Sequence, residues 1–265
     1  KFLVYCVFTS LTLNRSKLEI ILRQRRTMKY ILKLELEKPV IRSDYRRTII
    51  SFFKKSISSY MDGYFYEELY QSGAKKKSFV WSIAFIKPVF KGELMELAGN
   101  EVNMTLKFKE QQTALIYYSS LLMMKDQAFP IGEGNHISLK SIKMISEKEI
   151  TDDYAVFKVL SPICLKHHYK ENNKDRYLTV EDAEFAIELA RKLKEDLPYM
   201  EEEIESLRYD LSGLKKIIVP AYGLKIPVSI GSFLVSGDKN ILNHMLKTGV
   251  GSKRNSGFGL VEQVM

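Results

Sequence analysis

Near its C-terminal end the chain reads GVGSKRNSGFG, from Gly249 to Gly259. Four glycines in these eleven residues allow the backbone to take positive φ angles and to approach a ligand closely. Successive backbone N–H groups in such turns form a concave anion-binding nest, and two basic side chains stand at its rim. We therefore predict a phosphate-binding loop with one ring for stacking, comprising Gly249, Gly251, Ser252, Lys253, Arg254, Asn255 and Phe258.

Two familiar phosphate-binding motifs do not fit this loop. A P-loop requires Gly-Lys-Ser/Thr at the start of a helix, whereas here Ser252 precedes Lys253 and a strand is predicted to follow. A dinucleotide-binding fingerprint requires a third glycine where Arg254 stands, between a strand and a helix. The alternative that stays open is a glycine-rich hairpin whose charges are incidental.

Upstream of the loop, the hydrophobic pattern predicts two halves with the same order of elements. Apolar alternation and helical periodicity in the first half indicate strand, helix, strand, strand, helix, strand, which is the ferredoxin-like order. These elements are expected at residues 30–36, 45–61, 79–86, 102–109, 111–124 and 137–145. In the last strand the phase of Ile137 and Leu139 differs by one residue from that of Ile142 and Met144, which predicts a β-bulge.

The second half is expected to repeat this order without repeating the sequence. A strand at 154–160 is followed by a polar loop from Lys166 to Asp175 and by a helix capped by Thr179 and Asp182. Strands at 216–220 and 224–235, a short helix at 239–246 and a final strand at 259–264 complete it. The fold class is therefore α+β. We expect an N-terminal ferredoxin-like (RRM-like) domain at 28–150 and a C-terminal one at 151–265.

Residues 1–27 do not fit either predicted domain. They hold six Lys/Arg and one Glu, so five of the nine net positive charges lie there and the rest of the chain carries only +4. The apolar run after Lys1 has no small-residue cleavage site behind it, and Met28 opens a clean strand. We interpret 1–27 as a non-native upstream segment and expect the native protein to begin at Met28.

Cysteine content and hydropathy restrict the cellular location that the sequence predicts. Cys6 lies in the upstream segment and Cys164 stands alone, so no disulfide framework is expected and a cytoplasmic location is predicted. No stretch approaches the ~20 apolar residues that span a bilayer.

The glycine-rich loop resembles the signature of the RAMP superfamily, and in particular that of the sixth CRISPR-associated (Cas) family. The resemblance covers the chain from Met28 onward and is strongest in the second half. It extends upstream through PAYGLKIP at 220–227, GSF at 231–233, Gly237-Asp238, Ser161-Pro162 and YLT at 177–179.

What this resemblance implies is tandem ferredoxin-like domains that bind repeat RNA and cut it without a metal or other cofactor. In that chemistry a ribose 2′-hydroxyl attacks the adjacent phosphate, which leaves a 2′,3′-cyclic phosphate and a 5′-hydroxyl. The reaction needs a base, an acid and cations beside the phosphorane. The implied partners are CRISPR precursor RNA and other Cas effector subunits, with the protein a monomer or homodimer.

Many members of the resembled family carry a histidine near the first helix, and this sequence has none there. Some members that lack it rely on lysine and arginine to orient the RNA and stabilise charge. On that basis the expected catalytic set on or beside the first helix is Tyr45, Arg47, Lys54 and Lys55. The alternative is that these residues form the solvated face of an amphipathic helix.

Three further features have two interpretations each. His167 and His168 follow Cys164, but zinc would need four ligands and no second cluster exists, so an RNA contact or a plain surface pair is expected. Lys75, Lys76 and Lys77 either grip RNA phosphates or protect an edge strand. The whole protein is either the nuclease or a RAMP subunit that holds CRISPR RNA without cutting it.

Overall fold

A computed structural model describes residues 28–71, 79–169 and 174–264. The interpretation of residues 1–27, including Cys6, and the expected contact of Lys75, Lys76 and Lys77 lie outside the described residues. Within the described part, no helix combines the length and apolarity needed to cross a bilayer.

In the part of the chain that the structure describes, the first ferredoxin-like unit contains eight strands and two α-helices. They are β1 (Met28–Leu36), β2 (Val40–Arg42), α1 (Tyr45–Ser59), β3 (Phe79–Ala84), β4 (Val89–Lys91), β5 (Leu94–Glu96), β6 (Glu101–Phe108), α2 (Gln111–Met123), β7 (Phe129–Gly132) and β8 (Asn135–Ser146). Five strands form an antiparallel sheet in the order β3-β6-β1-β8-β7, and the first four of these keep the ferredoxin-like arrangement. The strands β2, β5 and β4 form a separate small sheet.

Buried apolar residues alternate with polar ones along β1, so that one face of this sheet is buried. Tyr30, Leu32 and Leu34 are fully buried, and α1 packs Ile49 and Phe53 against them. The pairing of β1 with β8 shifts register between Lys33 and Leu34, where the partner residues jump from Ser141 to Leu139. This confirms the bulge predicted from the change of apolar phase.

The second ferredoxin-like unit consists of β9 (Tyr154–Val159), β10 (Leu165–Tyr169), β11 (Lys174–Leu178), α3 (Phe185–Asp196), α4 (Glu201–Glu205), β12 (Arg208–Asp210), β13 (Leu214–Ala221), β14 (Leu224–Ser236), α5 (Lys239–Thr248) and β15 (Val261–Gln263). Its sheet has the order β12-β14-β9-β15, with β13 also paired to β14. Its own core contains side chains such as Phe157, Leu189 and Phe233. The predicted α+β class and tandem ferredoxin-like fold are confirmed, whereas the domain boundary at residue 150 stays a prediction.

The polar loop predicted from Lys166 to Asp175 is wrong. β10 and β11 occupy most of that interval as an antiparallel hairpin, in which His168 lies opposite Asp175. Asp175 accepts from His168 at 2.9 Å and pairs with Lys166 at 2.7 Å. Charged side chains on both strands hide the hydrophobic alternation by which a strand is usually identified, while their cross-strand pairing supports the hairpin.

Thr179 and Asp182 close a turn before α3, and the helix begins only at Phe185. The Asp182 carboxylate accepts from the Thr179 backbone N–H at 2.8 Å and from its hydroxyl at 3.1 Å. The N–H bond is the largest cause of the lowered pKa of Asp182. Because these bonds satisfy the chain locally, the expected helix start is displaced by several residues.

Buried charges join the two units. Lys107 on β6 has a side chain with no exposed surface, and its ammonium donates to the carbonyls of Leu246 at 3.0 Å and Val261 at 2.9 Å. The same ammonium lies 2.7 Å from the Glu147 carboxylate. Burial lowers the pKa of Lys107, and Glu147 opposes that shift. All three ammonium protons thus have acceptors, two of them in the second unit.

Candidate functional site

The glycine-rich loop lies between the two units and packs closely against both. Gly257 has φ 83°, and a Cβ there would lie 2.7 Å from ring carbons of Trp81 on β3. Gly251 has φ 77°, and its Cβ would lie 2.6 Å from the Cys164 carbonyl oxygen. At these two positions glycine is therefore required because the loop backbone packs closely against other parts of the protein itself.

Hydrogen bonds hold the loop in this position. The indole N–H of Trp81 donates to the Asn255 carbonyl at 3.0 Å, and the Ser252 N–H donates to the Cys164 carbonyl at 2.7 Å. The Ser252 hydroxyl accepts from the Lys166 N–H at 3.2 Å, which ties the loop to the β10–β11 hairpin. Gly249, Ser252 and Asn255 therefore belong to a loop that hydrogen bonds hold in place. Some of its backbone groups are already bonded to other parts of the protein.

Phe258 is fully buried, so its ring is not open to a nucleobase in this structure. The guanidinium of Arg46 covers that ring at 4.4 Å from its centroid and also lies 4.9 Å from the centroid of Tyr45. The Nε of Arg46 donates to the Gly257 carbonyl at 3.3 Å. Arg46 thus connects the start of α1 to the loop through two aromatic contacts and one hydrogen bond.

Sequence reasoning missed Arg46, which is only 2% exposed. A signal was present, because Arg46 lies in line with the buried residues Ile49, Phe53 and Ile57 on the apolar face of α1. A charged side chain in such a stripe usually has a partner in another element. Here the partners are the loop and its phenylalanine.

Asp44 makes a second link between α1 and the other unit. The side chain of this N-cap residue makes no capping bond to α1 in the described structure. Its two carboxylate oxygens instead accept from the backbone N–H groups of Tyr222 at 3.0 Å and Gly223 at 2.9 Å, in the β13–β14 turn. Asp44 therefore fixes this turn beside the first turn of α1.

We expect Asp44→Ala to lower the free energy of unfolding by about 1–3 kcal/mol, because the two turn N–H groups lose a charged acceptor. Urea unfolding measures this effect. Asp44→Asn is the matched comparison, since its amide oxygen still accepts one bond and should lose less. Equal losses for the two variants would contradict the role assigned to the carboxylate.

Of the four residues expected to be catalytic, Arg47, Lys54 and Lys55 are exposed along α1, and Tyr45 is half-buried. Tyr45 meets Phe85 edge-on at 4.9 Å, and burial raises the pKa of its phenol against the opposing charge of Arg46. The Lys54 ammonium lies 5.7 Å from the ring centroid of Tyr70. Seven residues of helix, about 10 Å, separate Lys54 from Arg47, so only the latter stands beside the β13–β14 turn.

The two basic residues of the loop point to different places. The Lys253 ammonium lies 5.8 Å from the ring centroid of Tyr222. Arg254 turns the other way, pairing with Asp196 at 2.7 Å and donating to the Thr248 hydroxyl at 3.2 Å. Lys253 thus faces the β13–β14 turn, whereas Arg254 is held against α3 and α5.

His167 and His168 each have a carboxylate partner. His167 Nδ1 lies 2.9 Å from Glu188 of α3, and His168 Nδ1 lies 2.9 Å from Asp175. Cys164 is buried, which raises the pKa of its thiol to about 12. Across the described residues, no three His, Cys, Asp or Glu side chains are arranged to hold a metal ion.

The structure therefore brings together, at a junction between the units, the first turn of α1, the glycine-rich loop and the β13–β14 turn. At this junction Arg47 and Lys253 supply positive charge, and Tyr222 supplies an exposed aromatic residue. Lys54 and Lys55 lie farther along α1. Sequence reasoning missed Tyr222, although it stands in the PAYGLKIP stretch that was already singled out.

Part of the chain matches one protein-family model, and the chain shares its fold with several solved structures. Residues 145–263 match the family model described as CRISPR associated protein Cas6, C-terminal. A search of curated proteins finds no significant match.

Solved structures with the same fold include three that cover 90% of this chain. One described as an RAMP protein binding different RNA substrates is 21% identical over 100% of its own length, with a TM-score of 0.74. A Cas6-related protein of Pyrococcus furiosus is 20% identical over 98% of its length, with a TM-score of 0.76. A Cas6 product complex is 17% identical over 100% of its length, with a TM-score of 0.67.

Proposed function

We propose that the chain is a Cas6-family RAMP protein that binds and cuts the repeat RNA of precursor CRISPR transcripts, on the match of residues 145–263 to the Cas6 C-terminal family model. The observation that carries the proposal is the cationic junction between the two ferredoxin-like units, where Arg47 of α1 and Lys253 of the glycine-rich loop both lie near Tyr222. Solved proteins of this fold include a Cas6 product complex and an RAMP protein that binds different RNAs.

The proposed reaction is an internal transesterification. The 2′-oxygen forms a bond to phosphorus while the bond from phosphorus to the 5′-oxygen breaks. The proton of the 2′-hydroxyl passes to a base, and a proton is delivered to the departing 5′-oxygen. The products are a 2′,3′-cyclic phosphate and a 5′-hydroxyl, and no net redox change or co-reactant is involved.

Within this chemistry Arg47 and Lys253 are suited to stabilise charge on the non-bridging phosphate oxygens. Lys54 and Lys55, farther along α1, are suited to bind phosphates of the neighbouring nucleotides. Tyr45 is better suited to a supporting role, because its ring packs on Phe85 and beside Arg46. A cytoplasmic location and association with other Cas subunits belong to the same proposal.

The test is a single-turnover cleavage assay on the CRISPR repeat RNA in the presence of EDTA. The wild-type protein should cut at one position and leave a 2′,3′-cyclic phosphate, which is identified by its resistance to dephosphorylation until acid opens it. Multiple cuts, or a requirement for added metal ions, would contradict the proposal.

Lys54→Ala should weaken RNA affinity a few-fold and reduce the salt dependence of binding by about one unit of slope, because one phosphate contact is lost. Lys194→Ala is the control, since that ammonium is paired with Glu201 at 2.9 Å in the acidic α4 region. Filter binding at several salt concentrations measures both variants. The same loss in the two variants would show that only overall charge matters.

A binding subunit without nuclease activity is the second candidate, and one observation favours it. α1 contains no histidine, and the four described histidines, His136, His167, His168 and His244, each lie near a carboxylate. Tight binding of repeat RNA with no cleavage under any condition would establish this role. It would also remove the catalytic role from Arg47.

A further inference from the structure

Tyr222 occupies a strained position in the β13–β14 turn. Its φ of 57° lies in the left-handed region, which a bulky aromatic residue rarely adopts. The Asp44 carboxylate of the first unit holds the turn in this conformation through the two hydrogen bonds described above. Strain of this kind persists where the surrounding structure enforces it, and it is common in residues that contact a ligand.

The surroundings of Tyr222 suit an RNA ligand. Tyr222 is 36% exposed and stands in the turn beside the glycine-rich loop. Burial is the main cause of its raised pKa, with Arg46 and Arg47 opposing, so the ring is a neutral phenol at ordinary pH. The Lys253 ammonium stands 5.8 Å from the ring centroid.

Comparison with the other aromatic residues of this region shows which one is available. Phe258 is fully buried under the guanidinium of Arg46, and Tyr45 packs edge-on against Phe85, whereas Tyr222 is exposed. An aromatic ring flanked by cations is the usual platform for an unpaired nucleobase, because the base stacks while the cations bind its phosphates. Every element of such a platform is present here.

We propose that Tyr222 stacks on one unpaired nucleobase next to the scissile phosphate, while Arg47 and Lys253 contact that phosphate. This inference rests on the proposed function and assigns its specificity to a named residue. Transesterification requires the 2′-oxygen, the phosphorus and the 5′-oxygen to lie in line. Continuous A-form stacking does not provide that alignment, so a ring that holds one base out of the stack would promote it.

The experiment combines an abasic scan with a substitution. Each nucleotide of the repeat RNA is replaced in turn by an abasic one, and affinity is measured for wild-type protein and for Tyr222→Leu. In the wild type one position near the cleavage site should show a loss of roughly 5- to 50-fold. In Tyr222→Leu affinity for intact RNA should fall by a similar factor, and the abasic penalty at that position should disappear.

Tyr222→Phe is the matched control, because it keeps the ring and loses only the hydroxyl, and it should retain the abasic penalty. A second readout uses only the wild type: 2-aminopurine at the identified position should be quenched on binding. Abasic penalties that are unchanged in Tyr222→Leu at every position would overturn the inference. Failure of the wild-type protein to bind repeat RNA at all would instead overturn the proposed function.

Discussion

Gly257→Ala is expected to lower the free energy of unfolding by roughly 2–5 kcal/mol and to dislodge the glycine-rich loop. Two effects add at this position. The residue has φ 83°, which costs an L-amino acid about 1–2 kcal/mol. The new Cβ would also lie 2.7 Å from Trp81, and overpacking of a filled site costs about 1–3 kcal/mol.

Trp81 itself reports on this change. It is the only tryptophan of the chain, it is 1% exposed, and its indole donates to Asn255 of the loop. Urea unfolding followed by tryptophan fluorescence therefore measures stability, and the emission maximum of the folded variant measures loop displacement. Repeat-RNA affinity should fall together with the fluorescence shift, because Lys253 moves with the loop.

Gly92→Ala is the matched control for backbone strain. Gly92 has φ 63°, and no atom lies within 4 Å of the Cβ position. The Gly92→Ala variant should lose only about 1–2 kcal/mol of unfolding free energy, with no fluorescence shift and no change in RNA affinity. Equal losses for both variants would mean that the contact with Trp81 contributes nothing.

The elements that the sequence predicted correctly are those with a strong local pattern. Alternating apolar residues in β1 and the stripe of Ile49, Phe53 and Ile57 in α1 define the buried face directly. Even the bulge in β8 could be predicted, since a change of apolar phase has no other simple meaning in a strand. The charged β10–β11 hairpin has no such pattern, and it was predicted as a loop.

The candidate site at the junction of the units was only partly predictable, for a different reason. Its basic residues stand out in the sequence, but their partners come from distant parts of the chain. Asp44 meets a turn 178 residues away, and Arg46 meets the Gly257 carbonyl 211 residues away. No local pattern indicates that Phe258 is covered while Tyr222 is exposed, because that difference depends on how the two units pack.

The packing of the units leads to the second large effect, which is expected at Lys107. Lys107→Met should lower the free energy of unfolding by about 3–5 kcal/mol, because it removes the ammonium 2.7 Å from the Glu147 carboxylate and leaves that carboxylate with the more distant Lys29 ammonium at 3.6 Å. Oε2 of Glu147 already has no hydrogen-bond partner among the described residues. The Leu246 and Val261 carbonyls would lose their donor as well. Urea unfolding measures the loss.

Two comparisons decide whether the weakened pairing of the Glu147 carboxylate is the cause of the loss. Lys33→Met removes a lysine from a surface pair with Glu101 whose side chains are about half exposed, and it should cost less than about 1 kcal/mol. Adding Glu147→Gln to Lys107→Met should restore at least about 1 kcal/mol, since the amide carries no charge. No recovery in the double variant would assign the loss to the two carbonyls. Because these carbonyls belong to α5 and β15 of the second unit, whereas Lys107 belongs to the first sheet, either result measures how strongly this cluster holds the two units together.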